Sequence, residues 1–543
     1  VSLADGPKYD VYAVSDGAGG AIMAWEDERG GDADIYVQRV SADGDVLWQA
    51  DGVPVCTAAG DQALDHSSTG STGLTPLVAD GAGGVWVVWH DERAFGFRLR
   101  DVYAQRLDAD GQPLLAANGV PVASGAGMED GATACSDGAG GVIVVWQDKN
   151  ADPVFYDLWG QRLDAAGQPL WNGGQPLPLV TVDWNQDGPT LCPDGAGGAF
   201  LAWSDSRFDV GDVYAQRLGS DGSSLWAANG LPVCVRSGGQ DAITARRGGD
   251  GDLLLAWIDR RGAGPDVYAQ KLAASDGAAR WTAAGAAVCT ATESQYRPAM
   301  CDDGAGGAIV AWFDYRNAPS GPPWNLDIYA QRLDASGAPA WPVDGVAVCS
   351  APDAQRNVDL VSDGAGGAVL AWEDNRGGQG YEDIYAQRVD ADGAMQWLAD
   401  GVAVSTAPLN QQHPDLVAGA GGAIIAWTDD RDAIYEADVY CDRVQVDDPT
   451  AAPATGPHGL NLVVRHGTVA FSLPRAGAVT LDVIDLRGRR VASLLAGEVY
   501  AVGDHAVPWT PRSPAGWTLP SGVYLVRLRS GGAMATTRAL VVR

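Results

Sequence analysis

Six histidines are spread along the chain, His66, His90, His413, His458, His466 and His505, and none stands at metal-ligand or triad spacing from another. Gly-x-Ser-x-Gly, His-Glu-x-x-His and phosphate-loop patterns are absent, so the nucleophilic, zinc-hydrolytic and nucleotide chemistries they perform have no carrier in this sequence. Glycoside hydrolysis needs two carboxylates ~5–9.5 Å apart, and among 69 Asp and Glu residues spacing singles out no pair. The residues that do suggest chemistry are aromatic and basic groups in irregular segments: Phe95, Phe97, Arg98, Tyr156, Trp184, Tyr296, Arg297, Trp324, Tyr381 and Tyr435, with Arg100 and Phe155 nearby. Rings beside guanidinium and amide groups suit sugars or extended peptides, since C–H faces stack while polar groups hydrogen-bond. A glutamine recurs in the same neighbourhoods, at Gln186, Gln240, Gln295, Gln355 and Gln412. These ten residues are the candidates for ligand binding. No catalytic and no metal-binding residue is assigned.

What positions them is a repeat. A phrase seen cleanly at 362–397, SDGAGGAVLAWEDNRGGQGYEDIYAQRVDADGAMQW, returns eight times around Trp25, Trp89, Trp146, Trp203, Trp257, Trp312, Trp372 and Trp427. A fixed period of roughly 55–60 residues marks a repeat architecture and must be read before any local feature. Each copy carries four short β signals, in the seventh 359–361, 368–372, 384–389 and 402–404, rich in Val, Ile and Ala and bounded by Gly and Asp turns. The fold class is therefore all-β, with four antiparallel strands per repeat, the make-up of a propeller blade. The last copy supplies three strands. Val1-Ser2-Leu3 stands where its fourth should be, so an eight-bladed β-propeller closed by the N-terminal strand is expected.

Two boxes recur within the repeat. Trp-x-Asp-x-Arg appears as Trp25-Asp27-Arg29 and Trp372-Asp374-Arg376, with Asn150 replacing Arg in the third copy. Asp-Ile/Val-Tyr-Ala-Gln-Arg appears as Asp34–Arg39 and Asp383–Arg388, with Trp159 for Tyr in the third copy and Lys271 for Arg in the fifth. Blades cover one another, so the Gln and Arg of the second box must find partners. The Asp after each Trp is the expected one, pairing blade to blade. Parity places the second and fourth connections of each blade on one face, and these hold the insertions, including 57–75, 94–100, 317–326 and 377–382. Variable loops on a rigid scaffold are where binding residues sit.

The formal net charge is −33, which argues against nucleic-acid binding and against docking on anionic lipid. No apolar run is long enough to insert in a membrane as a helix. Seven of the eight cysteines, Cys56, Cys234, Cys289 and Cys349 at one repeat position and Cys135, Cys192 and Cys301 at another, stand where other copies take Ala, Ser or Val, the mark of small buried slots; Cys289 with Cys301 is the one disulfide worth weighing. No cofactor is expected; the alternative is calcium at Asp32/Asp34 or at Asp250/Asp252, neither a complete loop of the EF type. Domain limits fall at 1–446 for the propeller, 447–459 for a Pro-rich linker and 460–543 for a small β-sandwich.

That last segment resembles the Ig-like C-terminal domains of bacterial secreted proteins, of the hook-capping or type IX sorting kind, through Asp485-Leu486-Arg487-Gly488-Arg489, Ser521–Leu528 and Leu540-Val541-Val542-Arg543. The resemblance implies export, to the exterior or the cell surface. The repeats are similar to the Gly-rich "DGAGG…W-D-R…DIYAQR" repeats of exported bacterial proteins, which speaks for architecture and hardly for activity. Ser41–Trp48 more weakly resembles a sialidase Asp box, with Gly44 directly after Asp43 where that pattern leaves a gap. The expectation is a non-enzymatic binder of glycan or protein. Self-association as a structural surface component and a carbohydrate-active enzyme stay open beside it.

Overall fold

Short runs such as Ala368–Asp374, bounded by Gly-rich turns and buried at every position, form the second strand of a four-stranded antiparallel sheet whose partners are Gln355–Ser362, Asp383–Val389 and Val402–Ser405. The computed structural model describes residues 1–2, 4–64, 75–93, 100–124, 128–149, 155–208, 210–318, 325–377, 380–419, 421–431, 437–445, 461–465, 468–473, 477–485, 490–500, 503–509, 522–530 and 533–541. Sheets of this kind recur at 8–56, 62–123, 129–180, 186–234, 240–289, 295–349 and 355–405, here sheets 1 to 7, and a three-stranded sheet 8 follows at 411–445. The architecture is all-β and propeller-like. The chain divides into two compact units, Val1–Ala451 and Ala452–Arg543.

Each sheet packs on the next through apolar side chains from both. Between sheets 1 and 2, Ile22, Ala24 and Ile35 meet Val85, Val87 and Trp89. The last and first sheets share such a cluster too, with Val417, Ile424, Ala426 and Val439 against Val11, Met23 and Trp25. A backbone bond repeats at every junction. The first residue of each first strand donates its N–H to the loop before the preceding sheet's third strand: Gln62 to Ala33 O, Gln240 to Gly211 O and Gln411 to Glu382 O, each 2.7 Å, and Lys8 to Ala437 O at 2.8 Å. Ser2 bridges Val439, while Leu3 lies outside the described residues.

The Trp box is one buried cluster. In sheet 7 the Trp372 indole N–H donates to Asp374 Oδ2 (2.8 Å), and the same carboxylate accepts from Arg376 Nε (2.8 Å), Nη2 (2.5 Å) and the Arg376 backbone N–H (3.0 Å). The Arg376 guanidinium lies 3.7 Å over the Tyr385 ring and donates to Asp400 O at 2.7 Å, which fixes the turn into the fourth strand. Behind that turn, Gly401 lies flat on the indole, where a Cβ would stand 2.6 Å from Trp372; only glycine fits. In the third repeat Asn150 and Trp159 replace Arg and Tyr together, so the stacked pair is exchanged as a unit.

The expected partner of the second box is corrected. Arg388 pairs with Asp363 of the Gly-rich turn (2.9 Å), Arg39 with Asp16 (2.9 Å), and neither with the Trp-box aspartate. The pairing register puts Asp374 beside Asp383, so Arg388 stands at the far end of the strand, five residues or ~16 Å away. These ion pairs lie within one sheet. The link between sheets is the outer nitrogen, Arg39 Nη1 to Ala109 O at 3.1 Å. The first strands are also longer than expected, starting at Gln355 rather than 359 in sheet 7. In sheet 2 the long insertion splits the first strand, since Gln62–Ala63 already pairs with Asp91 and His90 before Leu77–Ala79 resumes.

Among its described residues the second unit holds seven strands in two sheets, Asn461–Arg465, Thr468–Leu473 and Gly503–Pro508 in one, Arg490–Tyr500, Gly477–Asp485, Gly522–Ser530 and Ala533–Val541 in the other. Val469, Phe471, Leu481, Trp509 and Val526 meet in its core. Residues 446–460 and 486–489 lie outside the described set.

Removing the shared carboxylate leaves a largely buried guanidinium without its counter-charge and a buried indole N–H without an acceptor. Asp374→Ala is expected to destabilise the first unit by about 3–5 kcal/mol in guanidinium unfolding, against less than ~0.5 kcal/mol for Asp392→Ala on an exposed turn.

Candidate binding face and channel

The first strands line the middle of the repeat array, and each starts with the same device. Its first side chain is a buried glutamine whose Nε2 donates to carbonyls of its own preceding loop: Gln186 to Trp184 O (2.9 Å), Gln295 to Glu293 O (3.2 Å), Gln411 to Leu409 O (3.0 Å). Sheet 1 uses Lys8 there, donating to Ala4 O, Gly6 O and Asp438, and sheet 3 uses Glu129. The recurring glutamines are therefore tied to their own loops and do not face a ligand; in sheet 8 the residue in this role is Gln411 and not Gln412.

Two residues further on, the strands of sheets 1 and 3 to 8 bulge. Asp10, Gly131, Gly188, Ala242, Arg297, Asn357 and His413 all have φ between 47° and 59°, and the pairing register slips there in each sheet. Bulges re-aim side chains and cluster beside functional sites. Side chains reach these bulges from the neighbouring sheet: Glu373 accepts from the His413 backbone N–H (2.8 Å) and Gln147 Oε1 from Gly188 N–H (3.1 Å), while Glu373 also holds Asn357 Nδ2 of its own sheet (2.8 Å). Both occupy the unassigned middle position of Trp-x-Asp. Sequence reasoning missed them, although a Glu or Gln inside an otherwise apolar buried strand was a signal available to it.

The first strands of sheets 1, 2, 5, 6, 7 and 8 line a cavity of about 780 Å³. Arg246, Arg247, Arg297 and His413 line it with Asp10, Asp302, Asp359 and Asp415. Asp359 accepts from Leu416 N–H (2.9 Å) and Asp415 from Ala13 N–H (2.7 Å), so each carboxylate stitches its strand to the next sheet. Burial raises both above the usual carboxylate range, and for Asp415 the neighbouring Asp359 adds to the rise; Arg246 partly offsets it for Asp359.

Among the sequence candidates, Phe95, Phe97, Arg98, Trp324 and Tyr435 lie outside the described residues. Tyr156 is buried, its hydroxyl donating to Asp130 (3.2 Å) under Lys149, and so belongs to packing. Tyr296 packs against Phe313 and Tyr315. Arg297 sits on a bulge at the cavity wall and donates to Asn357 Oδ1 (3.0 Å). Tyr381 and Trp184 are exposed, Trp184 at 55%. The Trp184 ring leans on Phe155, 5.0 Å between centroids. The structure joins Trp184 with Phe155, and Tyr296 with Arg297, as two separate groups, one between sheets 3 and 4 and one in sheet 6.

Metal chemistry finds no prepared cluster: no group of three or more His, Cys, Asp or Glu is placed to hold an ion among the described residues. Asp250 pairs with Lys271 and Asp252 with Arg280. Every cysteine is free, Cys289 and Cys301 included. Cys289 and Cys349 instead accept from the Trp-box arginines Arg316 and Arg376.

Several carboxyls are pushed up by burial first and neighbouring carboxylates second. Asp34, Asp266 and Asp383 rise to about 6, each beside its Trp-box aspartate, and Glu129 rises to about 8 beside Asp148 and Asp101. The folded chain then binds more protons than the unfolded one from about pH 4 upward, so stability falls as pH rises through 4 to 8. Asp16, Asp80 and Asp259 are lowered, Asp16 and Asp80 by turn N–H groups and arginine and Asp259 by Arg261, and their contribution is lost below pH 4. The thermal midpoint should therefore peak at about pH 4–6 and decline towards pH 9. Glu129→Gln, which restores the residue that most sheets use, should raise stability by about 0.5–2 kcal/mol at pH 9 and leave it nearly unchanged at pH 4.5. Equal effects at both values would refute the assignment.

Comparison with known proteins finds distant likeness only. No family model matches the chain, and no curated protein matches it. Solved structures resemble it distantly. A fungal alcohol oxidase of the AA5 family, in complex with copper, is 13% identical over 89% of this chain and 99% of that one, at a TM-score of 0.36. PorZ, a surface component of the type IX secretion system of Porphyromonas gingivalis, is 12% identical over 99% and 82%, at 0.30. An endo-arabinase from Bacteroides thetaiotaomicron is 12% identical over 50% and 95%, at 0.28. Likeness at this level carries no argument about activity. Fold and site define an all-β protein of repeated, propeller-like four-stranded sheets.

Proposed function

We propose that the first unit is an eight-bladed ring, closed where the Ser2 segment and Lys8 meet sheet 8, and that it binds an extracellular glycan or protein without turning it over. The contact face is the end carrying the second and fourth connections and the mouth of the central cavity. The second unit, read as Ig-like, serves export or attachment at the surface.

The observation that carries the binding reading is Trp184. The residue two before each buried glutamine or Lys8 is left-handed, at Gly6, Gly60, Trp184, Glu293, Asp353 and Leu409, because its carbonyl must turn inward to take the side-chain donor. Glycine meets that demand without strain, and a bulky residue there costs about 1–3 kcal/mol. Trp184 accepts this cost, as Glu293, Asp353 and Leu409 do, and alone among them presents a ring that is open to solvent and braced on Phe155. Exposed aromatics braced from behind are the preferred stacking platforms.

Trp184→Gly separates the two roles. The variant is expected to be as stable as the parent or more so by ~1 kcal/mol, and to lose at least ~tenfold in affinity for any oligosaccharide that the parent retains on a glycan array. Binding unchanged in Trp184→Gly and in Tyr381→Ala would remove the loop face from the account. Release of reducing ends from a polysaccharide panel would replace the binder with an enzyme.

A further inference from the structure

In a chain with 69 acidic and 36 basic side chains an arginine has ample carboxylates to pair with, and those of the two boxes use them. Arg261 of sheet 5 pairs with Asp259, and Arg332 of sheet 6 with Asp303. Arg246, Arg247 and Arg297 form no ion pair among the described residues, and all three line the central cavity. Arg246 and Arg247 end the first strand of sheet 5, Gln240–Arg247. The register puts Arg246 where other sheets carry Val14, Cys192, Cys301 and Val361, and Arg247 where they carry Ser15, Ser136 and Ser362. Two guanidiniums therefore stand where the repeat ends its strand with small side chains. Packing does not call for them.

The carboxylates of the wall do not answer these charges. Three of the four are spent on backbone donors: Asp302 accepts from Gly249 N–H (2.9 Å) and Gly304 N–H (2.7 Å), Asp359 from Leu416 N–H and Asp415 from Ala13 N–H. Asp359 and Asp415 also hydrogen-bond to each other, and burial raises both, so the two hold a proton between them. Guanidinium donors are left over. Arg246 Nη1 donates to Ala245 O at 2.9 Å and Arg297 Nη1 to Asn357 Oδ1 at 3.0 Å, one bond each from a fork of five donors. The Arg246 charge acts on Cys192, Cys301 and Asp359 of sheets 4, 6 and 7, which places it towards the middle of the array. The Arg247 guanidinium lies over Gly195 of the turn in sheet 4, where a Cβ would stand 2.8 Å from Cζ; the matching Gly17, Gly304 and Gly364 have nothing over them.

Arg297 stands at another level of the cavity. It sits on the bulge of sheet 6, four residues before Cys301, which shares the level of Arg246, so the two positions are ~13 Å apart along the strands. Beside it in the chain, Tyr296 packs with Phe313 and Tyr315 as a half-buried group of rings. We propose that the cavity takes an acidic oligosaccharide, a ligand class that rests on the binding reading above and deepens it. Its carboxylate or sulfate groups lie on Arg246 and Arg247 at one level and on Arg297 at the other, where the planar fork matches either anion. A sugar face stacks on the Tyr296 group. One small anion cannot reach both levels, whereas a chain of sugars can. The net charge of −33 does not oppose this at physiological salt, where charges beyond ~8 Å are screened and a direct guanidinium contact is not. The holding residues all lie in sheets 5 and 6, so the site does not depend on sheet 8 meeting sheet 1.

The test is calorimetric titration of the full chain with two octasaccharides, one of galacturonate, which carries carboxylates alone, and one from κ-carrageenan, which carries sulfates alone. At least one should bind saturably with a dissociation constant below ~1 mM, and the one that binds names the group. Its neutral counterpart, methyl-esterified or desulfated, should bind at least ~tenfold more weakly. Arg246→Val and Arg247→Ser, which restore the residues of other sheets, should each keep or raise the thermal midpoint and lose at least ~tenfold in affinity. Arg280→Gln removes a charge from sheet 5 outside the cavity and should bind as the parent does. The proposal is overturned by no saturation with either octasaccharide, by equal affinity for charged and neutral forms, or by saturable binding of oligoglutamate in their place. Full affinity in Arg246→Val and Arg247→Ser, or equal loss in Arg280→Gln, overturns it too. Retention of a neutral glycan through Trp184 would then leave the binding reading standing, and the absence of any ligand would remove both.

Discussion

One buried carboxylate per sheet holds the repeat together. The Trp-box aspartate takes the indole N–H of its own strand and three donors from the following arginine, and that arginine reaches on to the turn before the fourth strand. A charge with no solvent access is tolerated only when its acceptor capacity is filled, which explains why Trp, Asp, Arg and the stacked Tyr travel as a set. It explains the third repeat as well, where Arg and Tyr change together. The second carboxylate, that of the Gly-rich turn, works at the other end of the same strands. There it satisfies turn N–H groups and a second arginine that reaches the next sheet.

Much of this frame was legible in the sequence. The period, the four strands per copy and the placement of variable loops at one end all follow from Gly-Asp turns and buried Val-Ile-Ala runs. The arginine partner was misread because box spacing says nothing about which end of a strand a residue occupies; only the register does. The first-strand bulge was invisible for a different reason. It is imposed by tertiary contact, and its left-handed residue is Asp, Ala, Arg, Asn or His as readily as Gly.

The site was legible in part. Trp184 and Tyr381 stand exposed as their loop positions suggested, while Tyr156 turned inward because Asp130 and Lys149 offer its hydroxyl and ring better partners than water does. The glutamines looked like ligand donors because they recur beside aromatics. They recur because each ties down its own loop, and that tie forces the left-handed turn on which Trp184 is displayed. The cavity charges could not have been grouped from sequence, since Arg246, Arg297, Asp359 and Asp415 come from four different repeats.

Sheet 8 is bonded to sheet 1 as the other neighbouring sheets are bonded to each other, and the proposed ring depends on that equivalence. Native-state hydrogen exchange reads it directly at two amides, Lys8, bonded to Ala437 O, and Ala13, bonded to the Asp415 carboxylate. A closed ring predicts that both exchange as slowly as the matching amides of Gln240 and Leu416 inside the array. Exchange at Lys8 and Ala13 within seconds, with Gln240 and Leu416 still protected, would show an open seam and contradict the account.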